Sequence, residues 1–329
     1  MREMNGAFPD EPLVSIVIPV YNGARYLAEA IDSALAQTYS STEVVVVNDG
    51  SSDGGATEAA AKAYGDRIRY VAKENGGVST ALNAGIQASR GEYISWLSHD
   101  DAYPPDKLER QVAFLRGLGD SAGRTIPYGS VVYMDERSEV FGSYTLPEVP
   151  PEQLHQALMC RAVFLSPFRR LRFGVNGCTT LIPRRAFDEA GPFDPSLRTT
   201  QDYDMWFRLN ERYDFVQMDG FLLRSRVHPE QGTRVLRDHM VSEGSGMFDR
   251  ALGYHKPGSD KWDLDLPKVA LASRMFSLDE AVSEKVMRMA GEADKDMEGL
   301  MYYALARSWN PALRAFYEIT ENVRGLPSL

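Results

Sequence analysis

The sequence predicts an α/β fold: a mostly parallel central sheet with helices on both faces. Short runs of β-branched residues alternate with segments of helical apolar periodicity through the first two-thirds of the 329 residues. Repeated βα units of this size build parallel sheets covered on both sides. A further observation points to function. Asn22, Asp49, Asn75 and Asp100 each fall just past a predicted strand end, and in such sheets ligands bind in the crevice beyond the carboxyl ends of the strands.

Leu13–Pro19 (LVSIVIP) is rich in β-branched residues and ends at a proline, which reads as a buried strand. Arg25–Gln37 gathers Tyr26, Leu27, Ala30, Ile31, Ala34 and Leu35 on one face, the pattern of an amphipathic helix. Glu43–Asn48 (EVVVVN) is a second strand, closed by the turn residues Asp49-Gly50-Ser51-Ser52-Asp53. A helix follows around Gly55–Tyr64, then a strand at Ile68–Lys73. Gly76-Gly77 opens a helix over Val78–Ser89. Glu92–Leu97 (EYISWL) is a fourth strand and Pro105–Leu118 a further helix.

Beyond residue 127 the pattern changes. Tyr128–Asp135 and Glu139–Tyr144 read as a hairpin or meander, Glu152–Arg161 as helix-like, Gly177–Ile182 as a strand, Gln201–Arg212 as a helix and Phe215–Val227 as β again. From about Leu236 the chain turns mainly helical. Ser277-Leu278-Asp279-Glu280 fits a capping box, and Asn310-Pro311 is a cap followed by proline at the first helical position. The expected division is 1–235 and 236–329.

The composition excludes several classes. Apolar residues make up 43% and charged residues 25%, which rules out a disordered chain or a collagen-like repeat. The formal charge of −10 argues against a nucleic-acid partner, since phosphate neutralisation needs a basic surface. A small anionic ligand stays compatible, because one metal ion reverses the local field. Cys160 and Cys178 are too few for a disulfide framework. The first residues lack the basic start and apolar core of a signal peptide. The longest apolar runs are strand-sized, too short to span a bilayer. A soluble, cytoplasmic location is therefore the expectation.

Nucleotide and zinc-hydrolase fingerprints are missing: no GxGxxG follows a strand, and neither GxxxxGK[ST] nor HExxH occurs. What remains is a set of carboxylates. Asp49 alone is better explained by turn chemistry. Asp100-Asp101 leaves the sheet after an apolar strand, where paired carboxylates repel unless a cation or hydrogen bonds compensate. Hard oxygen ligands there suit Mg²⁺ or Mn²⁺, against the plainer reading of a helix cap. Asp202 and Asp204 precede a helix and either favour its N-terminus or act in catalysis. His228 alone fits a surface histidine. Arg169-Arg170-Leu171-Arg172 and Arg184-Arg185 read as a solvated loop and a solvated helix start, with an anionic lipid surface as the alternative.

Order adds what the single motifs lack. LVSIVIPVYN at 13–22, VVVNDGSSD at 45–53, NGGVSTALNAGIQASRGEYISWLSHDD at 75–101, CTTLIPRRAFDEAGPFDPSLRTTQDYDMWFRL at 178–209 and RVHPEQ at 226–231 follow one another. Together they resemble glycosyltransferase family 2, the inverting nucleotide-sugar transferases of GT-A fold, over roughly residues 12–235. The resemblance implies a Rossmann-like central sheet, a nucleotide-sugar donor (a UDP-sugar in the best-known members), a divalent metal and an acceptor hydroxyl. It implies that Pro19, Tyr21 and Asn22 border the base and ribose, that Asp49 accepts from the base, and that Asn75 and Asn83 belong to the loop and helix over the nucleotide. Asp100 matches the metal-ligating aspartate of the DxD motif, Asp202 the general base, and His228 a histidine reaching the metal or diphosphate. Asp101 and Gln201 flank donor and acceptor.

Two positions depart from the family pattern. Ser98 replaces the first aspartate of Asp-x-Asp-Asp, leaving His99 to take part of its ribose or metal contact. Gln201 replaces the glutamate of Glu-Asp, which should make Asp202 easier to ionise because like charges raise a carboxyl pKa. A sugar nucleotidyltransferase is the rival reading, but Leu13–Asn22 lacks a basic glycine-rich signature for a triphosphate. A degenerate binding protein of the same fold is the other; the presence of Asp49, Asp100 and Asp202 counts against it. The expected acceptor is a saccharide or lipid-linked saccharide of a polysaccharide or glycoconjugate. A lipid-linked acceptor would bring the chain to the inner face of the membrane as a peripheral protein. The C-terminal apolar faces are open to three uses: covering the catalytic domain, contacting the acceptor, or pairing two subunits as a homodimer.

Overall fold

A computed structural model describes residues 9–146 and 174–236, with isolated positions at 239, 243, 247, 250 and 254. The central sheet has five strands in the order β3-β2-β1-β4-β7. β1 (Val14–Val20) lies in its middle and is buried along its whole length. It pairs in parallel with β2 (Thr42–Asp49) on one side and β4 (Tyr93–Trp96) on the other. β3 (Arg69–Lys73) adds in parallel to β2. Burial on both faces explains why β1 and β2 read as continuous apolar runs rather than alternating ones.

Pro19 fits this scheme. Residues alternate the neighbour they bond, and Leu97 N donates to Val17 O at 3.0 Å, so Pro19 also faces the β4 side. The β1–β4 pairing ends at Val17 with Trp96, so the missing N–H of proline removes no ladder bond.

Helices α1 (Ala24–Leu35), α2 (Ala56–Lys62), α3 (Val78–Ala88) and α4 (Lys107–Gly117) follow β1 to β4 in turn. α1 buries Tyr26, Leu27, Ala30, Ile31 and Ala34, the face expected from the periodicity. α3 approaches the sheet closely: a Cβ on Gly85 would lie 2.3 Å from Val17 Cγ1, so only glycine fits there.

A second sheet has the order β6-β5-β8. β5 (Thr125–Met134) and β6 (Val140–Tyr144) form the expected antiparallel hairpin, and β8 (Asp214–Arg226) pairs in parallel with β5. β5 begins three residues before the expected start at Tyr128. Pro127 sits inside it, in a stretch that β6 does not reach, where its carbonyl accepts from Leu181 N at 3.2 Å. An antiparallel bridge between Ala102 and Arg224 ties the loop after β4 to β8.

The expected strand over Gly177–Ile182 is mostly a turn. Asn176 Oδ1 accepts from Cys178 N at 2.9 Å, and the hydroxyls of Thr179 and Thr180 donate to the carbonyls of Asn176 and Gly177, both at 2.7 Å. Such local side-chain bonds compete with a ladder. Only β7 (Ile182–Pro183) remains, antiparallel to β4. α5 (Arg184–Ala190) follows, and Arg184 is not the solvated helix start expected. Its guanidinium donates to Gly91 O (2.5 Å), Ile86 O (2.9 Å) and Ser89 Oγ (2.7 Å), clamping α5 to the end of α3. α6 (Gln201–Asn210) and α7 (Gly232–Val235) complete the elements.

Residues 9–146 and 175–236 fall in one compact unit. The expected helix at 152–161, the basic cluster at 169–172, Cys160 and the C-terminal helices lie outside the described residues. Among the described residues no helix is long and apolar enough to cross a membrane.

Under β4 lies a fully buried lysine. Lys107 Nζ donates to Ser95 Oγ (2.9 Å) and Gln111 Oε1 (2.8 Å) and sits 4.3 Å from the Tyr103 ring centroid. Burial pushes its ammonium down to about 7, against about 10.4 in the unfolded chain. Between these values the unfolded chain holds the proton and the folded chain does not. The penalty is thus fully present below pH 7 and is relieved as pH rises, by up to about 1.4 kcal/mol per unit. Lys107→Met should remove this component. Urea unfolding at several pH values between 7 and 9 should show wild type gaining stability relative to the variant as pH increases; a constant difference contradicts the assignment.

Candidate active site

The strand ends place two groups of polar side chains at one edge of the central sheet. The first surrounds Asp49 at the end of β2. Its buried carboxylate accepts from Lys73 Nζ (2.5 Å), Gly76 N (3.1 Å) and Gly77 N (2.7 Å), and its carbonyl accepts from Asn75 Nδ2 (2.9 Å). Gly50 makes this possible: its φ is +67°, and a Cβ there would come within 2.5 Å of Asn75 N. Asn48 Oδ1 accepts from Ser51 N at 3.0 Å, closing the turn after β2.

Past the end of β1, Asn22 adopts a left-handed φ of 49°, which asparagine tolerates better than most residues. Its N–H donates to Ser51 Oγ (2.9 Å) and its Oδ1 accepts from Ser52 N (2.7 Å). The exposed Tyr21 hydroxyl lies 3.4 Å from Ser52 Oγ. Tyr21 and Asn22 therefore meet the turn that follows Asp49, and Asn75 meets Asp49 itself, while the Pro19 carbonyl faces His99. Sequence reasoning missed Lys73, which stands opposite Asp49 in the β2–β3 register. An aspartate just past one predicted strand and a lysine ending the next was the available signal.

Asn83 stands apart from this cluster. Its Nδ2 donates to Phe193 O (2.8 Å) and its Oδ1 accepts from Phe193 N (2.9 Å). With Ser79 Oγ donating to Leu197 O (2.7 Å), it staples α3 to the loop leading into α6.

The second group follows β4. His228, two residues past β8, brings Nε2 to 3.0 Å from Asp100 Oδ2, across 128 residues of sequence. Both side chains are buried, and His228 Nδ1 has no hydrogen-bond partner among the described residues. The His228 ring packs 5.0 Å from the Tyr26 ring. Asp101 turns inward, and its Oδ1 accepts from Arg226 N at 2.8 Å. Burial and the neighbouring Asp100 charge push its carboxyl well above the ordinary range, with Ser225 and Arg226 opposing. His99 bonds the Pro19 carbonyl and packs on Gly23, where a Cβ would lie 2.2 Å from its Cδ2. Burial lowers its pKa, so its imidazole is neutral at pH 7. Ser98 Oγ lies 3.3 Å from the buried Cys178 Sγ. An aspartate at position 98 would set a third carboxylate beside Asp100 and Asp101.

The first turn of α6 carries the remaining candidates. Asp202 is half-buried, with its Oδ1 accepting from Tyr203 N at 2.9 Å. Gln201 is buried, and its Oε1 has no hydrogen-bond partner among the described residues. Asp204 is fully buried and pairs with Arg208 at 2.8 Å, which in turn donates to Ala190 O at 2.6 Å. Asp204 thus holds α5 against α6.

Residues 15–176 match the family described as glycosyl transferase family 2. A glycosyltransferase of Rickettsia typhi is 48% identical over 223 residues, 68% of this chain and 66% of the relative. The chain belongs to glycosyltransferase family 2. A Rickettsia felis glycosyltransferase is also 48% identical over 228 residues, covering 69% of this chain and 36% of its own length. A chondroitin synthase of Pasteurella multocida is 31% identical over 219 residues, 66% of this chain and 21% of that protein. The chain therefore spans only about a third of several of its relatives. Among solved structures, S. aureus TarS 1–349 in complex with UDP has a TM-score of 0.52 at 18% identity, covering 96% of this chain and 93% of that one. A mannosyltransferase from Pyrobaculum calidifontis, in complex with GDP-Man and Mn²⁺, has a TM-score of 0.54 at 19% identity, covering 96% and 88%. The fold of this family 2 glycosyltransferase is GT-A.

Proposed function

We propose that this glycosyltransferase moves a sugar from a nucleoside diphosphate sugar, a UDP-sugar in our reading, to an acceptor hydroxyl with inversion at the anomeric carbon. The observation that carries it is the pairing of Asp100 with His228 at the same sheet edge as the Asp49 cluster. One group suits a base and ribose, the other a charged diphosphate.

A divalent metal fits the residues present. One carboxylate oxygen and one imidazole nitrogen are donors that Mn²⁺ accepts. Among the described residues no group of three His, Cys, Asp or Glu could hold a metal alone. The donor set is therefore incomplete by itself and suits a cation shared with diphosphate oxygens and water. The chemistry such a cation supplies is neutralisation of the charge developing on the leaving group.

The chain's own residues do the rest. Asp49, already fixed by Lys73 and two backbone N–H groups, presents a rigid acceptor edge toward the base. Asn22 and Tyr21 shape the rim. Asp202 takes the acceptor proton late in the displacement. A free aspartate, with a pKa of about 3.9, is ionised at neutral pH, and a carboxylate of this kind accepts the proton as the attacking oxygen becomes acidic. Asn83 contributes indirectly, through the staple between α3 and the segment before Asp202. Residues 1–235 constitute the catalytic domain in this reading and 236–329 a helical extension. The chondroitin synthase relative supports a saccharide acceptor in polysaccharide or glycoconjugate synthesis.

A thermal-shift panel of UDP, GDP and their sugar derivatives, with and without Mn²⁺, tests the donor side. A ligand at 100 times its Kd stabilises by about 2.7 kcal/mol, a shift of several degrees. Stabilisation by UDP that grows with Mn²⁺ is expected. The absence of any nucleotide effect contradicts the proposal, and a GDP-only effect corrects the base.

A further inference from the structure

Arg226 carries a fully buried guanidinium whose donors all turn inward. Its Nε donates to Asp100 O (2.9 Å), its Nη1 to Asp135 O (2.8 Å) and Ser138 Oγ (3.1 Å), and its Nη2 pairs with Glu29. Its backbone N–H donates to Asp101 Oδ1 at 2.8 Å. The guanidinium carbon lies 4.4 Å from the Tyr26 ring centroid, and Tyr26 is the ring on which His228 packs. One side chain therefore grips the backbone of Asp100 and one face of the ring behind His228, while its own backbone fixes Asp101.

Burying a cation is costly, and a buried ion pair is weak evidence for stability. Geometry accounts better for this residue. Asp100 and His228 come from segments 128 residues apart, and the fork of a guanidinium sets several oxygens at fixed positions where an ammonium acts as a point charge.

We propose that Arg226 is a positioning residue that fixes the Asp100 carboxylate against the His228 imidazole from behind, so that the pair is preorganised for a divalent cation. The proposal rests on the metal reading given under Proposed function. Arg226 itself does not touch the nucleotide.

The test compares the full chain with Arg226→Lys and Glu29→Gln, using calorimetric titration with UDP or GDP, whichever wild type binds, in the absence and presence of Mn²⁺. Near-UV circular dichroism reports folding. Ligand-orienting partners of a metal site typically contribute about 10–100-fold to metal affinity. Folded Arg226→Lys should keep metal-free nucleotide affinity within about twofold of wild type while losing about tenfold or more of the Mn²⁺-dependent gain. Glu29→Gln, which leaves Arg226 without its counter-charge, should lose part of that gain. An undiminished gain in folded Arg226→Lys overturns the proposal. If that variant does not fold, an undiminished gain in Glu29→Gln overturns it. Wild type binding nucleotide with no Mn²⁺ gain overturns the metal reading and this proposal with it. That result is distinct from a wild-type gain that the variants share.

Discussion

Asp202→Asn is expected to lower sugar transfer by about 10²–10⁴-fold, the range general-base catalysis contributes, with nucleotide affinity unchanged. The amide keeps the shape of the side chain and its place in the first turn of α6, but it cannot take the acceptor proton. The neighbour at 201 sharpens the expectation. Gln201 is buried beside Asp202 and brings no negative charge, so the carboxylate has no like-charged neighbour at that position. Steady-state rates with a donor chosen from the thermal-shift panel, together with nucleotide titration, measure both quantities. Retained turnover in Asp202→Asn removes the base assignment.

Asp100→Ala should have the other large effect, on binding as well as rate. The substitution deletes the carboxylate that faces His228 at 3.0 Å. It leaves the Asp49 cluster, at the end of a different strand, in place. Metal-free nucleotide binding should therefore survive, and the Mn²⁺-dependent part should drop by about 100-fold or more, beyond what orienting partners contribute. Turnover should fall with it, because the leaving diphosphate loses its charge partner. A variant that binds nucleotide and Mn²⁺ as wild type does would place the cation elsewhere.

The sheet was legible because its strands obey simple rules. β1 and β2 are unbroken β-branched runs buried on both faces, and the turn at 49–53 is written in Asp, Gly and Ser. The site followed from topology, since residues just past parallel strand ends converge. What stayed hidden depended on contacts distant in sequence. Gly177–Ile182 has strand-like composition, but threonine hydroxyls and Asn176 close it into a turn. Arg184 reads as solvated from its sequence, and only the fold supplies its three acceptors at the end of α3. Arg226 opens the RVHPEQ segment, but nothing local marks its side chain as buried. A charged residue ending a strand reads as exposed, and only the fold brings Glu29, Asp100 and Asp135 around it. Asn83 shows the converse. The resemblance assigns it to the helix over the nucleotide, and the fold adds that its amide is engaged on both sides by Phe193, information that no motif carries.

The central claim is a single displacement at the anomeric carbon with Asp202 as base. Its most direct test is proton NMR of the sugar released when water replaces the acceptor, recorded before mutarotation, with the α-linked nucleotide sugar that most stabilises the protein. The account predicts that the β-anomer is formed first and that Asp202→Asn suppresses it. Initial release of the α-anomer, or equal release by the variant, would contradict it.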